Sequence, residues 1–129
     1  MLDVDYFKRI NDEFGHDGGD FLLKAIALVL KKYFREEDIV ARIGGEEFVI
    51  MLCHSDEKNT FGRAEKLRKN IEILNPLAKK TTPSIGVVTL GMTSVKSDIA
   101  KEAFYDLFTR ADKALYESKY AGRNSVTQA

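Results

Sequence analysis

The amino-acid sequence predicts an α+β fold of the ferredoxin-like, split-βαβ kind, an antiparallel sheet with helices packed on it and one α-β unit appended. Two observations carry this expectation. Apolar residues recur at helical spacing in three long stretches, and shorter strand-like runs lie between them. Their order along the chain is β-α-β-β-α-β, followed by a further α-β. Right-handed crossovers would then put the third strand between the first two, antiparallel to both.

Each element has its own signal. Met1-Leu2-Asp3-Val4-Asp5 alternates apolar and acidic residues as a strand end does. A polar, glycine-rich loop is expected next, closing with His16, Asp17, Gly18, Gly19 and Asp20. Leu22, Ala25, Ile26, Val29 and Tyr33 then fall at helical spacing, with Asp17 as the N-cap. Ile39 to Ile43 and Phe48 to Cys53 read as two strands, and Gly44-Gly45 between them as the positive-φ positions of a tight hairpin. Ser55 opens a second helix, with Asp56 and Glu57 favourable to its dipole. Its stripe is Phe61, Ala64, Leu67, Ile71 and Leu74, and Pro76 prevents continuation. Pro83 to Leu90 is the next strand. Phe104, Leu107, Phe108, Ala111, Ala114 and Leu115 form a third amphipathic helix ended by Gly122, and Asn124 to Gln128 a short last strand.

This topology makes a functional statement. Asp3 and Asp5, at the end of the first strand, would lie beside the hairpin of Gly44, Gly45 and Glu46 at one sheet edge. The start of the first helix and the end of the third, near Lys119 and Arg123, belong to the same edge. The corner from Arg35 to Asp38 falls at the opposite one.

Bulk properties narrow the function classes. The 129 residues suit one domain spanning 1–129, with 44% hydrophobic and 31% charged residues. Twenty basic and 20 acidic residues give zero net charge, which argues against nucleic-acid binding driven by bulk charge. Cys53, the single cysteine, reads as a small buried hydrophobe in an apolar run and offers no disulfide framework, which favours a cytoplasmic setting. No apolar stretch approaches the roughly 20 residues of a membrane span, so a tether to a membrane or sensor module is expected only outside this chain.

Asp3, Asp5, Glu46 and Glu47 would repel one another at one edge unless a cation neutralised them. Hard divalent ions prefer carboxylate oxygens, and magnesium takes only one or two from protein. Singly, each is also an ordinary solvated strand-end acid. Gly44-Gly45 can let a nucleotide lie against bare backbone, and Gly18-Gly19 can expose amides to an anion.

Taken together, these segments resemble a known family. Gly44-Gly45-Glu46-Glu47-Phe48 is the GGEEF form of the signature of the GGDEF family of diguanylate cyclases, and Asp3 to Asp20 follows its D-x-D-x-F-K-x-x-N-D-x-x-G-H-x-x-G-D segment. Ser84 to Val87, Ala111 to Tyr116, Lys119 and Gly122 to Asn124 match its later motifs, in order, over essentially the whole chain. The resemblance implies a palm-type domain that condenses two GTP into cyclic di-GMP and two pyrophosphates across a homodimer, using Mg2+ or Mn2+. It implies metal binding by Asp3, the Val4 carbonyl and Glu46, with Glu47 nearby at the ribose or a second metal. Asn11 and Asp20 would hydrogen-bond guanine, although Asp20 also suits a helix dipole in the first turn. Gly44 and Gly45 would approach the nucleotide. Lys119, Arg123 and the backbone around Phe7 and Lys8 would contact phosphates. His16 is expected to brace its loop.

Arg35-Glu36-Glu37-Asp38, six residues before the signature, resembles the family's R-x-x-D inhibitory site for product, with Lys66 or Arg68 as a supplement. Family members carry more of the first strand and an upstream helix, so the chain is expected to lack both. The competing reading is a non-catalytic domain that binds GTP or senses cyclic di-GMP at Arg35 and Asp38. A ligand-free interaction domain would leave the combined motifs unexplained.

Overall fold

Leu2 and Val4 alternate with Asp3 in β1 (Leu2–Val4), so the two apolar side chains enter one face of the sheet and the acid emerges on the other. The structure, a computed structural model, describes residues 1–90 and 100–129. Its further elements are α1 (Phe7–Tyr33), β2 (Ile39–Arg42), β3 (Glu47–Met51), α2 (Glu57–Glu72), β4 (Pro83–Val87), α3 (Ala100–Tyr120) and β5 (Val126–Gln128). The sheet order is β2-β3-β1-β4-β5. β3 lies between β1 and β2 and antiparallel to both, as the sequence predicts, while β4 is antiparallel to β1 and β5 joins parallel to β4.

The core gathers Leu2 and Val4 with Phe7, Ile10, Leu22, Leu23, Ile26 and Leu30 of α1. Phe48, Leu67, Ile71, Ile85 and Val87 complete it. Phe61 and Phe104, expected on apolar stripes, are instead exposed at the outer turns of their helices.

Several local expectations are corrected. The glycine-rich stretch is not a loop capped by Asp17: α1 begins at Phe7 and is interrupted only at Gly15, at φ 73 and ψ 173. Burial of Phe7 and Ile10, one turn apart, holds this first segment helical. Gly44 and Gly45 do not adopt positive φ. The β2–β3 hairpin is closed instead by the Arg42 side chain, whose Nε donates to Gly44 O (3.1 Å) and Nη2 to Gly45 O (2.9 Å). Asp56, rather than Ser55, caps α2, accepting from Asn59 N at 2.7 Å. β3 stops at Met51, leaving Cys53 exposed and donating to Glu37 O, and β4 stops at Val87. Gly122 does follow the end of α3, at φ 116.

Candidate active site

The face that β1 turns away from the core carries the chemistry. Asp3 is buried there, opposite Glu47 in the β1–β3 register, and Lys119 Nζ lies 2.7 Å from its Oδ2. Burial pushes the Asp3 carboxyl above the ordinary range, Lys119 pulls it back, and Glu47 and Asp5 push it up. Glu46 is raised in the same way, by burial and then by Asp3, with Lys119 opposing and Glu47 adding. Asp3, Glu46 and Glu47 therefore share one electrostatic site. Val4 N donates to Glu46 O (3.2 Å), and an extended residue turns its N–H and C=O to the same neighbour, so the Val4 carbonyl faces Glu46 too. Gly44 completes the corner, because a Cβ there would press on the Glu47 carboxylate.

Asp5 adds its charge to this acid group, but its carboxylate is engaged elsewhere. Its Oδ1 accepts from Ser84 Oγ (2.6 Å), and its Oδ2 from Thr82 Oγ1 (2.7 Å) and Asn124 N (3.0 Å). It ties the end of β1 to β4 and to the turn after α3. Among the described residues no three His, Cys, Asp or Glu side chains form a ready cation cage. The fit to a divalent ion rests on oxygen chemistry: two carboxylates with raised proton affinity and a carbonyl on one side, a donor set that suits a hard ion keeping several other ligands.

At the start of α1, Phe7 is buried in the core and Lys8 is exposed. Asn11 and Asp20 flank the Gly15 interruption. Gly19 allows this, since a Cβ there would overlap the Asn11 carboxamide oxygen and the Phe7 ring. Asn11 is half-buried, Asp20 exposed, and His16 exposed between them. Arg123 follows α3 in a left-handed turn (φ 67), its guanidinium carbon 4.6 Å from the Tyr6 ring centre.

The Arg35–Asp38 corner lies at the far end of β2. Arg35 is exposed and pairs loosely with Glu37 at 3.6 Å. The Asp38 side chain is fully buried and already satisfied by Arg63 Nη2 (2.7 Å), Arg35 N (3.1 Å) and Cys53 N (3.2 Å). Burial alone would raise its carboxyl, but these donors hold it below the usual carboxylate range. Arg63 also rests 5.2 Å from the Phe34 ring centre. Lys66 is exposed on α2. Arg68 turns the other way, to Glu65, Glu72 and Asn124 Oδ1 (2.7 Å). A groove of about 760 Å³ along α1 and β2 is lined by Asp20 as well as by Arg35 and Asp38.

Arg63, Thr82 and Tyr6 were missed by sequence reasoning. Arg63 and Asp38 are 25 residues apart and meet only through packing, so no local spacing could pair them. Ser84, which buries beside Asp5, did carry a signal as a hydroxyl inside a short buried strand.

The fold and site together define a palm-like α+β domain, with a five-stranded sheet that presents acids and cations at one edge. The chain belongs to the GGDEF family: residues 1–125 match the family model described as "Diguanylate cyclase, GGDEF domain". It is 41% identical to diguanylate cyclase A of Treponema denticola over 98% of this chain and 33% of that protein. It is 43% identical to diguanylate cyclase DgcP of Pseudomonas aeruginosa over 100% of this chain and 19% of that protein. The chain thus spans a third or less of the length of these relatives. Among solved structures it resembles the active GGEEF domain of a Vibrio cholerae diguanylate cyclase, with TM-score 0.84 and 33% identity over 98% of this chain and 78% of that one. It also resembles the GGDEF domain of Caulobacter crescentus DgcB in complex with c-di-GMP, with TM-score 0.84 and 30% identity over 98% and 74%. The family generally uses divalent metal ions. Among the described residues no helix is long and apolar enough to cross a membrane.

Proposed function

We propose that this chain is the catalytic domain of a diguanylate cyclase, joining two GTP molecules into cyclic di-GMP with release of two pyrophosphates. The observation that carries the reading is the Asp3–Lys119 pair beside Glu46, at the same edge as the start of α1. Asp3, the Val4 carbonyl and Glu46 would hold Mg2+, or Mn2+ in its place, with Glu47 at the ribose side. The bound ion supplies charge neutralisation on the phosphates and acidity to the attacking hydroxyl.

The chain's own residues do the rest. Asp20 accepts from guanine N1–H and its exocyclic amine, and the Asn11 carboxamide bonds the same base. The amides around Phe7 and Lys8 face the phosphates, as do Lys119 and Arg123. Gly44 and Gly45 leave backbone open to the nucleotide. Each GTP 3′-oxygen bonds to the other's α-phosphorus as the bond to the β-phosphate oxygen breaks, and the hydroxyl proton is lost. One domain holds one GTP, so the active unit is a two-fold homodimer. Such a site works where GTP is available, in the cytoplasm.

Product inhibition is the second part of the reading. Because Asp38 is already occupied, cyclic di-GMP would be held by the exposed Arg35, with Arg63 released toward it and Lys66 at the rim. The c-di-GMP complex of the Caulobacter crescentus DgcB GGDEF domain supports a product site on such domains. Incubating the protein with GTP and Mg2+ and separating the nucleotides tests the proposal. Cyclic di-GMP and pyrophosphate in a 1:2 ratio are expected; GTP binding without product would support the sensor reading instead.

A further inference from the structure

The Tyr6 ring has two cationic neighbours. Arg9 and Arg123 each place their guanidinium carbon 4.6 Å from its centre. Tyr6 itself is held at φ 56 and ψ 29, a left-handed conformation that a bulky residue adopts only when its surroundings enforce it. Arg9 N donates to Tyr6 O (2.9 Å), which fixes Arg9 one turn into the helix. Arg123 arrives from the far end of the chain. Its neighbour Asn124 is locked by Asp5, Glu72 and Arg68, so this turn is rigid.

Two guanidiniums at one ring repel each other, and the ring's attraction for each only partly offsets this. Among the described residues neither guanidinium is in a salt bridge with a carboxylate, unlike Arg35, Arg63, Arg68 and Arg110. Tyr6 directly follows Asp5, and Arg123 lies four residues beyond Lys119, which touches Asp3. The paired cations therefore sit where the chain leaves β1, which carries Asp3, and α3, which carries Lys119. A polyphosphate answers such an arrangement, since each guanidinium offers a planar fork of donors to phosphate oxygens.

We infer that Arg9 is a further phosphate-binding residue of this site, acting beside Arg123, and that the Tyr6 ring is the positioning residue that holds both. The inference rests on the reading of the site as a GTP site. Its test is calorimetry in Mg2+ with a non-hydrolysable GTP analogue, alongside NMR titration with guanosine, which lacks phosphate. Arg9→Ala is expected to weaken analogue binding roughly 10- to 150-fold, the scale of one charge-assisted hydrogen bond, and to leave guanosine binding within about twofold. The salt dependence of analogue binding should become shallower. Tyr6→Phe, which keeps the ring, should bind as the wild type does, whereas Tyr6→Leu should lose several-fold for the analogue alone. Undiminished analogue binding by Arg9→Ala, or an equal loss for guanosine, would overturn the role given to Arg9. Wild-type protein that binds neither ligand would overturn the GTP-site reading and this inference with it.

Discussion

Lys119 and Asp3 join the last turn of α3 to the middle of β1 across 2.7 Å, and the lysine is the cation nearest a group of crowded acids. Lys119→Met should therefore leave Asp3 buried without its partner. The expected cost is about 1–3 kcal/mol at pH 7, the range for leaving a buried acceptor unsatisfied. The loss should shrink as pH falls through the raised folded-state pKa of Asp3, where the carboxyl takes up a proton in both variants. Urea unfolding at several pH values measures it, and an unchanged midpoint at pH 7 would exclude this role for Lys119.

The Glu46 carboxyl is raised in the same direction as that of Asp3. Its folded-state pKa is raised, first by burial and then by Asp3, so the folded protein binds its proton more tightly than the unfolded chain. Stability from that proton is complete below the unfolded pKa of about 4.3 and is lost as pH rises through the folded value. Glu46→Gln cannot ionise. It should be as stable as the wild type near pH 4 and at least as stable at pH 7, with no divalent ion present. A variant less stable at pH 7 than at pH 4, relative to wild type, would contradict the crowding.

Asp38 behaves conversely, because Arg63 and two backbone amides hold its carboxyl low against the effect of burial. Stability from its ionised form is present above about pH 4 and lost as pH falls through the lower folded value. Asp38→Asn should cost about 1–2 kcal/mol at pH 7, and the gap to wild type should close in acid. Thermal unfolding from pH 2.5 to 7 reads this directly; a gap that widened in acid would mean the Asp38 network is not ionic.

Much of this architecture was legible in the sequence because sheet order follows from element order and crossover handedness. β3 had to lie between β1 and β2, which brought Asp3 beside the Gly44–Glu47 hairpin without any knowledge of side chains. What was not legible depends on packing between distant residues. Asp5 looks like Asp3 in sequence, yet Ser84, Thr82 and Asn124 turn it into a structural acceptor. Asp38 looks free beside Arg35 and is closed by Arg63 from α2. The stretch from Phe7 to Asp20 reads as a loop because its glycines mask a pair of buried residues, Phe7 and Ile10, that hold it helical.

Base recognition gives a fourth expectation. An acid at Asp20 and the Asn11 carboxamide match guanine's N1–H and amine, a pattern adenine does not present. Wild-type protein should bind the GTP analogue about 100-fold or more tightly than the ATP analogue, and Asp20→Ala should erase most of that difference. Competitive titration with both nucleotides measures the ratio, and equal affinities would remove Asn11 and Asp20 from the base site.

The most direct measurement is GTP turnover in Mg2+ by wild-type protein and Glu46→Gln, followed by chromatography across a range of protein concentrations. The expected result is cyclic di-GMP from the wild type, at a rate that rises more steeply than linearly with protein because two chains must meet. Glu46→Gln should fall at least about 100-fold while remaining folded, as expected when a residue that holds the charge-neutralising ion is removed. Comparable product from Glu46→Gln, or none from wild-type protein that binds GTP, would contradict the assignment of this edge as a cyclase site.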